Sequence, residues 1–245
     1  MKLGDRMKKY ESASVYHLTD RLPIVIRVDG KAFHTYTAGL SKNDPFVMAA
    51  MDNVAKALCA GIMGARLAYV QSDEISVLVN PWSGLNSQSW FDNNLIKMVS
   101  ISAAIASAVM TAESPSIFGQ IKPACFDSRA FVLPFEEVNN SFIWRQQDAV
   151  RNSIQVLAQM NYSHKELHGL NVSVLKEKLR TEKGIDWEAQ PTRFKHGACI
   201  VRKTVQATTG QEPTLRSSWV VDSETPDFIK DRSYIECRMV PIEGL

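Results

Sequence analysis

Three carboxylates stand where strand-like runs end. Asp29 closes the apolar run PIVIRVDG, residues 23–30. Asp73 and Glu74 lie within AYVQSDEISVLV, residues 68–79, between two runs that read as strands, Leu67 to Val70 and Ile75 to Val79. Adjacent carboxylates buried without partners are costly, and a cation supplies the missing partner. Magnesium suits such a place, because it takes oxygen ligands and keeps waters for phosphate oxygens. Two such ions at close spacing serve nucleotidyl transfer by stabilising both the attacking and the leaving oxygen. The bland alternative is a turn at Asp29-Gly30 and a hairpin tip at Asp73-Glu74. Each pair taken singly reads more simply that way. Brought to facing ends of neighbouring strands, they read as a functional edge.

The elements around them set that geometry. Residues 23–30 form a strand ending in a Gly turn. Asn43 and Asp44 before Pro45 predict an N-cap with proline at the first helical position, and Ala50, Met51, Val54 and Leu58 continue a helix to Gly61. The two strands flanking QSDE follow. A second helix is predicted over Ser89 to Thr111, stopped by Pro115 and Gly119, and ACFDSRAFVLP, residues 124–134, is a fourth strand. The order strand, helix, strand, strand, helix, strand is the split βαβ pattern of ferredoxin-like folds, an α/β (α+β) class. Its first and third strands are central neighbours, so Asp29 and Asp73 converge. Beyond Pro134 the chain predicts a helix over 141–160, with an apolar stripe of Ile143, Val150, Ile154 and Leu157 and a polar stripe of Arg145, Asp148, Asn152 and Gln155. Another helix runs over 173–183 to Gly184, then short strands around GACIVRK and RSSWVV. We expect one catalytic domain over 1–245, with a core at about 20–135 and a helical, basic extension at about 136–245.

Composition narrows the class. The 245 residues are 45% apolar with a net charge of +2, which excludes a surface coated throughout for polyanions and leaves room for a local basic patch. Cys59, Cys125, Cys199 and Cys237 are far apart, which argues against a disulfide framework and for a reducing, cytoplasmic compartment. The N-terminus MKLGDRMKKYES has no apolar signal region. MVSISAAIASAVM, residues 98–110, is too short to span a bilayer and predicts a packed core helix, with no membrane partner. His164 and His168 have zinc-pair spacing without a third ligand or an H-E-x-x-H order. Arg193, Lys195, His196, Arg202 and Lys203 form a basic run that reads as edge-strand protection or as phosphate contact. In DGKAFH, residues 29–34, Gly30 permits a tight turn whose following N–H groups would line a phosphate nest. Phe33 reads as core and His34 as surface.

At this level the motifs carry a resemblance. IRVDGKAFHTYT and AYVQSDEISVLV resemble the two signature segments of the tRNA-histidine guanylyltransferase superfamily, and FDSRAFVLP and WRQQDAVRNSI match in order and spacing. The resemblance covers residues 20–160 and, more loosely, FKHGACIVRK. It implies a palm like that of polymerases and nucleotidyl cyclases. It also implies an enzyme that adds nucleotides to the 5′ end of tRNA in the 3′-to-5′ direction. Asp29 and Asp73 would hold two Mg²⁺ ions with the Gly30 carbonyl, and Glu74 would support the same catalytic site. The backbone of Lys31, Ala32, Phe33 and His34, together with Ser72, would contact the nucleoside triphosphate, with ATP and GTP as substrates. Arg27, Lys42 and Lys97 match basic positions near the phosphates. Arg145, Asp148, Arg151, Asn152, Lys195 and His196 are candidate RNA contacts, against the alternative that Arg145 and Asp148 form only an intrahelical ion pair. The family implies a homotetramer built as a dimer of dimers.

One departure bears on the reaction. Eukaryotic tRNA-histidine enzymes carry H-I-N-N-L-Y-N-T after R-Q-x-D, whereas this chain has VRNSIQVL at 150–157, with Val150 for the His and Asn152 retained. This is similar to the related proteins of bacteria, archaea and phages, and implies template-directed repair of 5′-truncated tRNA. The alternatives are a dedicated enzyme adding G before position one, a palm-type cyclase, and a non-catalytic RNA-binding module.

Overall fold

The structure is a computed structural model and describes residues 1–82, 86–208 and 213–239. In the first half the elements are α1 (Leu3–Ser12), β1 (Ile24–Gly30), α2 (Phe33–Tyr36), α3 (Pro45–Gly61), β2 (Ala65–Gln71), β3 (Glu74–Val79), α4 (Leu95–Phe118) and β4 (Phe126–Val132). The second half holds α5 (Phe135–Gln159), α6 (His164–Leu167), α7 (Val172–Lys183), α8 (Thr192–His196), β5 (Ala198–Thr208), β6 (Pro213–Asp222) and α9 (Ser233–Glu236). One antiparallel sheet runs β4-β1-β3-β2-β5-β6. The expected βαββαβ core is present, with β1 beside β3. The strands expected to be short, β5 and β6, are 11 and 10 residues long and extend the same sheet beyond β2.

Strand alternation divides the core into two layers. Ile24, Ile26 and Val28 of β1 point into a cluster with Met51, Val54 and Leu58 of α3 and Met98 and Ala106 of α4. Val25, Leu67, Tyr69 and Leu78 face the other way, onto Val138 and Phe142 of α5 and Phe228. The Asp44 side chain caps α3 as expected, accepting the N–H groups of Phe46 and Val47 at 2.9 and 3.1 Å.

Two helices differ from the expected spans. α4 begins at Leu95, where the Asn94 side chain caps Lys97 N–H at 3.1 Å, and it runs on through Pro115 to Gly119, which takes the left-handed φ of 71°. Proline leaves the carbonyl four residues earlier without its helical donor. Here that carbonyl, of Thr111, accepts the Ser114 hydroxyl at 2.6 Å instead, so the helix passes Pro115. α4 is also not a fully packed core helix. Met98, Ser102, Ala106, Met110 and Ser114 are buried, while Ile101, Ala104, Ala108 and Ala112 are exposed. It is long and apolar enough to cross a membrane by length and composition. The face that periodicity marks, Leu95, Met98, Val99, Ser102, Ile105, Ala106 and Val109, is the buried or half-buried one, but the opposite positions from Ile101 to Ala112 are small or aliphatic rather than charged. α5 starts at Phe135 rather than near 141, directly after Pro134.

Gly197 joins α8 to β5 with φ 75° and ψ −162°, and a Cβ there would meet the Val70 carbonyl oxygen at 2.5 Å. We expect Gly197→Ala to cost roughly 2 kcal/mol or more, since that backbone region is essentially reserved for glycine. Thermal unfolding should register it as a drop of about 5 °C. An unchanged Tm would show that the β2–β5 edge relaxes freely.

Candidate active site

The sheet register brings the acidic groups to one corner. Asp29 pairs with Glu74 of β3 on one side and with Asp127 of β4 on the other. The β2–β3 turn closes over it: Ser72 takes a left-handed φ of 51°, and Gly30 N–H donates to the Asp73 carbonyl at 3.0 Å. Gly30 is needed for a second reason. A Cβ there would sit 2.5 Å from the Phe33 ring, which packs beneath with Tyr36 and Phe126.

The four carboxylates have different partners. Glu74 is buried and held by Arg145 of α5 through two hydrogen bonds, Nε to Oε1 at 2.7 Å and Nη2 to Oε2 at 2.6 Å. Arg145 also pairs with Asp148, which in turn pairs with Arg151. Asp127 pairs with Arg129 at 2.9 Å. Among the described residues, Asp29 and Asp73 make no ion pair. Burial pushes the Asp29 carboxyl up from its ordinary value, and Asp73, Glu74 and Asp127 push it further while Arg129 opposes. Burial likewise raises Asp73, against hydrogen bonds from its own backbone and from Ser72. Two half-buried, mutually repelling carboxylates without a protein cation are what a bound cation would relieve.

The donors fit magnesium. No group of three or more His, Cys, Asp or Glu side chains is placed to hold a metal among the described residues. Magnesium does not require one, because it commonly takes one or two carboxylates plus waters and substrate phosphates. Glu74 and Asp127 are turned to arginines, which leaves Asp29 and Asp73, with the neighbouring Gly30 carbonyl, as the available set.

Beside this corner lies a cavity of about 560 Å³ between the 33–48 segment, the β2–β3 turn, α5 and α8. That is within the usual range for small-molecule sites. Of the candidate residues singled out in the sequence, Phe33, His34, Lys42, Ser72, Asp73, Asn152 and Arg193 line it. The backbone nest is narrower than the whole 31–34 stretch. Lys31 N–H is taken by the Cys125 carbonyl at 2.9 Å, so the N–H groups of Ala32, Phe33 and His34, at the start of α2, are those in place to receive an anion.

The remaining candidates lie elsewhere. Arg27 is on the face of β1 that carries Asp29, with its guanidinium 5.6 Å from the Trp144 ring and its pKa lowered first by burial. Lys97 is in the first turn of α4, over the Phe91 ring at 6.0 Å, and does not line the cavity. Arg145 and Asp148 are bound to each other and to Glu74, so α5 presents Arg151 and Asn152 outward instead. Lys195 donates to the Glu188 carbonyl and lies over Trp187, and the His196 carbonyl accepts the Tyr69 hydroxyl at 2.7 Å. Sequence reading gave no role to Asp127 or Gln71, and gave Arg193 only a place in a basic run read as edge-strand protection or phosphate contact. Asp127 becomes a neighbour of Asp29 only through the β1–β4 register, and Arg193 reaches the cavity only because α8 folds against α3 and α5.

Known proteins share this fold. A bacterial tRNA(His) guanylyltransferase (Thg1)-like protein solved in complex with ATP is 44% identical, covers 98% of this chain and 100% of its own, and superposes with a TM-score of 0.90. Another such structure, in complex with GTP, is 40% identical over 97% of this chain and 98% of its own, with a TM-score of 0.81. A tRNA(His) guanylyltransferase of Debaryomyces hansenii is 28% identical, spanning 82% of this chain and 81% of its own. The fold is that of a nucleotidyltransferase. The family sequence model described as "Thg1: tRNAHis guanylyltransferase" matches residues 4–134, and the chain belongs to that family.

Proposed function

We propose that this chain is a template-directed 3′-to-5′ nucleotidyltransferase that repairs the 5′ ends of tRNA. The observation that carries this reading is the pair of carboxylates without an ion-pair partner, Asp29 and Asp73, with Asp73 on the wall of a nucleotide-sized cavity and Asp29 at the corner beside it. ATP and GTP are the substrates, Asp29, Asp73 and the Gly30 carbonyl would hold two Mg²⁺ ions, and the whole chain acts as one cytoplasmic catalytic domain. When bound, the ions neutralise phosphate charge and stabilise the attacking and leaving oxygens. The N–H groups of Ala32 to His34 and the Ser72 hydroxyl hold the triphosphate, and Lys42 adds charge. An oxygen of the RNA 5′-monophosphate attacks the α-phosphorus of ATP and expels pyrophosphate, leaving an adenylated 5′ end. The 3′-hydroxyl of the incoming nucleotide attacks that 5′-phosphorus, loses its proton and expels AMP. Pyrophosphate is later removed from the added nucleotide unless its triphosphate drives the next addition. No protein nucleophile is needed.

Repair is favoured over addition confined to tRNA-histidine by Val150. It stands where the eukaryotic motif has His, and it packs against the cluster of Ile154, Leu175 and Trp187. Beyond Lys97, the exposed stripe of α4 at Ile101, Ala104 and Ala108 is uncharged, which supports assembly into a homotetramer. The test is a 5′-truncated tRNA of another identity incubated with all four NTPs. Restoration stopping at the templated end is expected. G addition restricted to tRNA-histidine would make this a dedicated guanylyltransferase, and cyclic nucleotide formed from NTP alone would make it a cyclase.

A further inference from the structure

Away from the acidic corner, one charged side chain on the cavity wall has a bond left to make. Arg193 of α8 donates from Nη2 to Asp52 Oδ1 of α3 at 2.6 Å, with side chains 18% and 14% exposed. Its other terminal nitrogen, Nη1, is buried without a hydrogen-bond partner, although Arg193 lines the cavity. Gln71 lines the same cavity, is only 6% exposed, and its Oε1 is also buried and unpartnered. Buried polar atoms are nearly always satisfied, so an unsatisfied donor and an unsatisfied acceptor on two residues that line one cavity point to a ligand that supplies the converse groups once these side chains turn toward it.

The chemistry of that ligand follows from charge. The Arg193–Asp52 pair is neutral overall, which suits it poorly to a polyanion and well to a directed bond with an uncharged acceptor. A phosphate also has no N–H to offer Gln71, whereas a nucleobase edge carries donors and acceptors together. The surrounding wall includes Val47, Met48, Val156 and Phe194, apolar surface suited to a flat ring. Arginine is the commonest donor to the N7 and O6 acceptors of a purine.

We propose that Arg193, aimed by Asp52, reads the purine of the bound nucleoside triphosphate by donating from Nη1 to N7 or O6. This rests on the nucleotide-binding reading above. The test is direct binding of GTP, 7-deaza-GTP (no N7) and 2-aminopurine riboside triphosphate (no O6) to the wild-type chain, Arg193→Gln and Arg193→Lys. In the wild type one analogue should bind roughly ten- to hundredfold more weakly than GTP. In both variants that ratio should collapse toward one. Equal weakening of all three nucleotides with a lowered Tm would make Arg193 a purely structural tie and overturn the proposal. A wild type that ignores both analogues, or variants that keep its ratio, would overturn it too. A wild type that binds no GTP at all would instead remove the nucleotide-binding reading on which it stands.

Discussion

Asp29→Ala and Asp73→Ala should each abolish nucleotidyl transfer, by about three orders of magnitude or more, while leaving the chain folded and, without metal, more heat-stable than the wild type. The two effects share one cause. Both carboxyls have raised pKa values in the folded chain, Asp29 first through burial and then through Asp73, Glu74 and Asp127. A carboxyl raised on folding binds more protons in the native than in the unfolded state, so its contribution to stability falls as pH rises through the window above 3.8. Once pH has risen through that window both groups are charged and oppose the fold, and removing either relieves the other. Melting curves from pH 4 upward should therefore show the metal-free wild type losing stability relative to each variant as pH rises. Mg²⁺ should raise the wild-type Tm and leave the variants nearly unmoved. Near-normal transfer by either variant would overturn the site assignment.

Arg145→Met is expected to have the largest effect on stability. It leaves the Glu74 carboxylate buried beside Asp29 and Gln71, with the Ser76 hydroxyl at 3.5 Å as its remaining side-chain hydrogen bond. Breaking a buried pair from one side costs about 3–5 kcal/mol. In a chain of this size that is a drop in Tm on the order of 10 °C. Replacing both partners, as Glu74→Gln with Arg145→Met, should recover most of it, because the uncompensated charge is gone. Transfer should stay depressed in all of these variants, since the pair ties α5 to the strand that begins immediately after Asp73. Glu74→Gln alone should lower kcat without changing the Mg²⁺ concentration that half-saturates transfer. A tenfold rise in that concentration at unchanged Tm would instead make Glu74 a metal ligand.

The parts of this fold legible in the sequence are those encoded by short-range chemistry. Strand alternation, the Asp44 cap with Pro45 and the QSDE turn define the βαββαβ order, and that order alone brings Asp29 toward Asp73. What was not legible depends on long-range register or on one compensating bond. Nothing in the sequence of α4 shows that Ser114 will take the carbonyl orphaned by Pro115. Glu74 and Arg145 are 71 residues apart, and only the docking of α5 reveals that the acidic partner of Asp73 is bound to a guanidinium. Arg193 and Asp52 are separated by 141 residues. The Arg145–Asp148 pair is both the intrahelical contact that spacing suggests and one edge of that larger network.

The brace from α5 also says something about where the working unit ends. Residues 4–134, the part the family model matches, contain both free carboxylates, the nest and the four strands of the split βαβ core. Arg145, which fixes the strand beside Asp73, and Asn152 and Arg193, which complete the cavity, all come from the other half of the chain. A chain cut after Leu133 would keep every group that the signature motifs name and lose the parts that hold them still. Shuffling the core alone into another protein would therefore transplant the reagents without the clamp. The C-terminal half must be inherited with the motifs for the chemistry to travel.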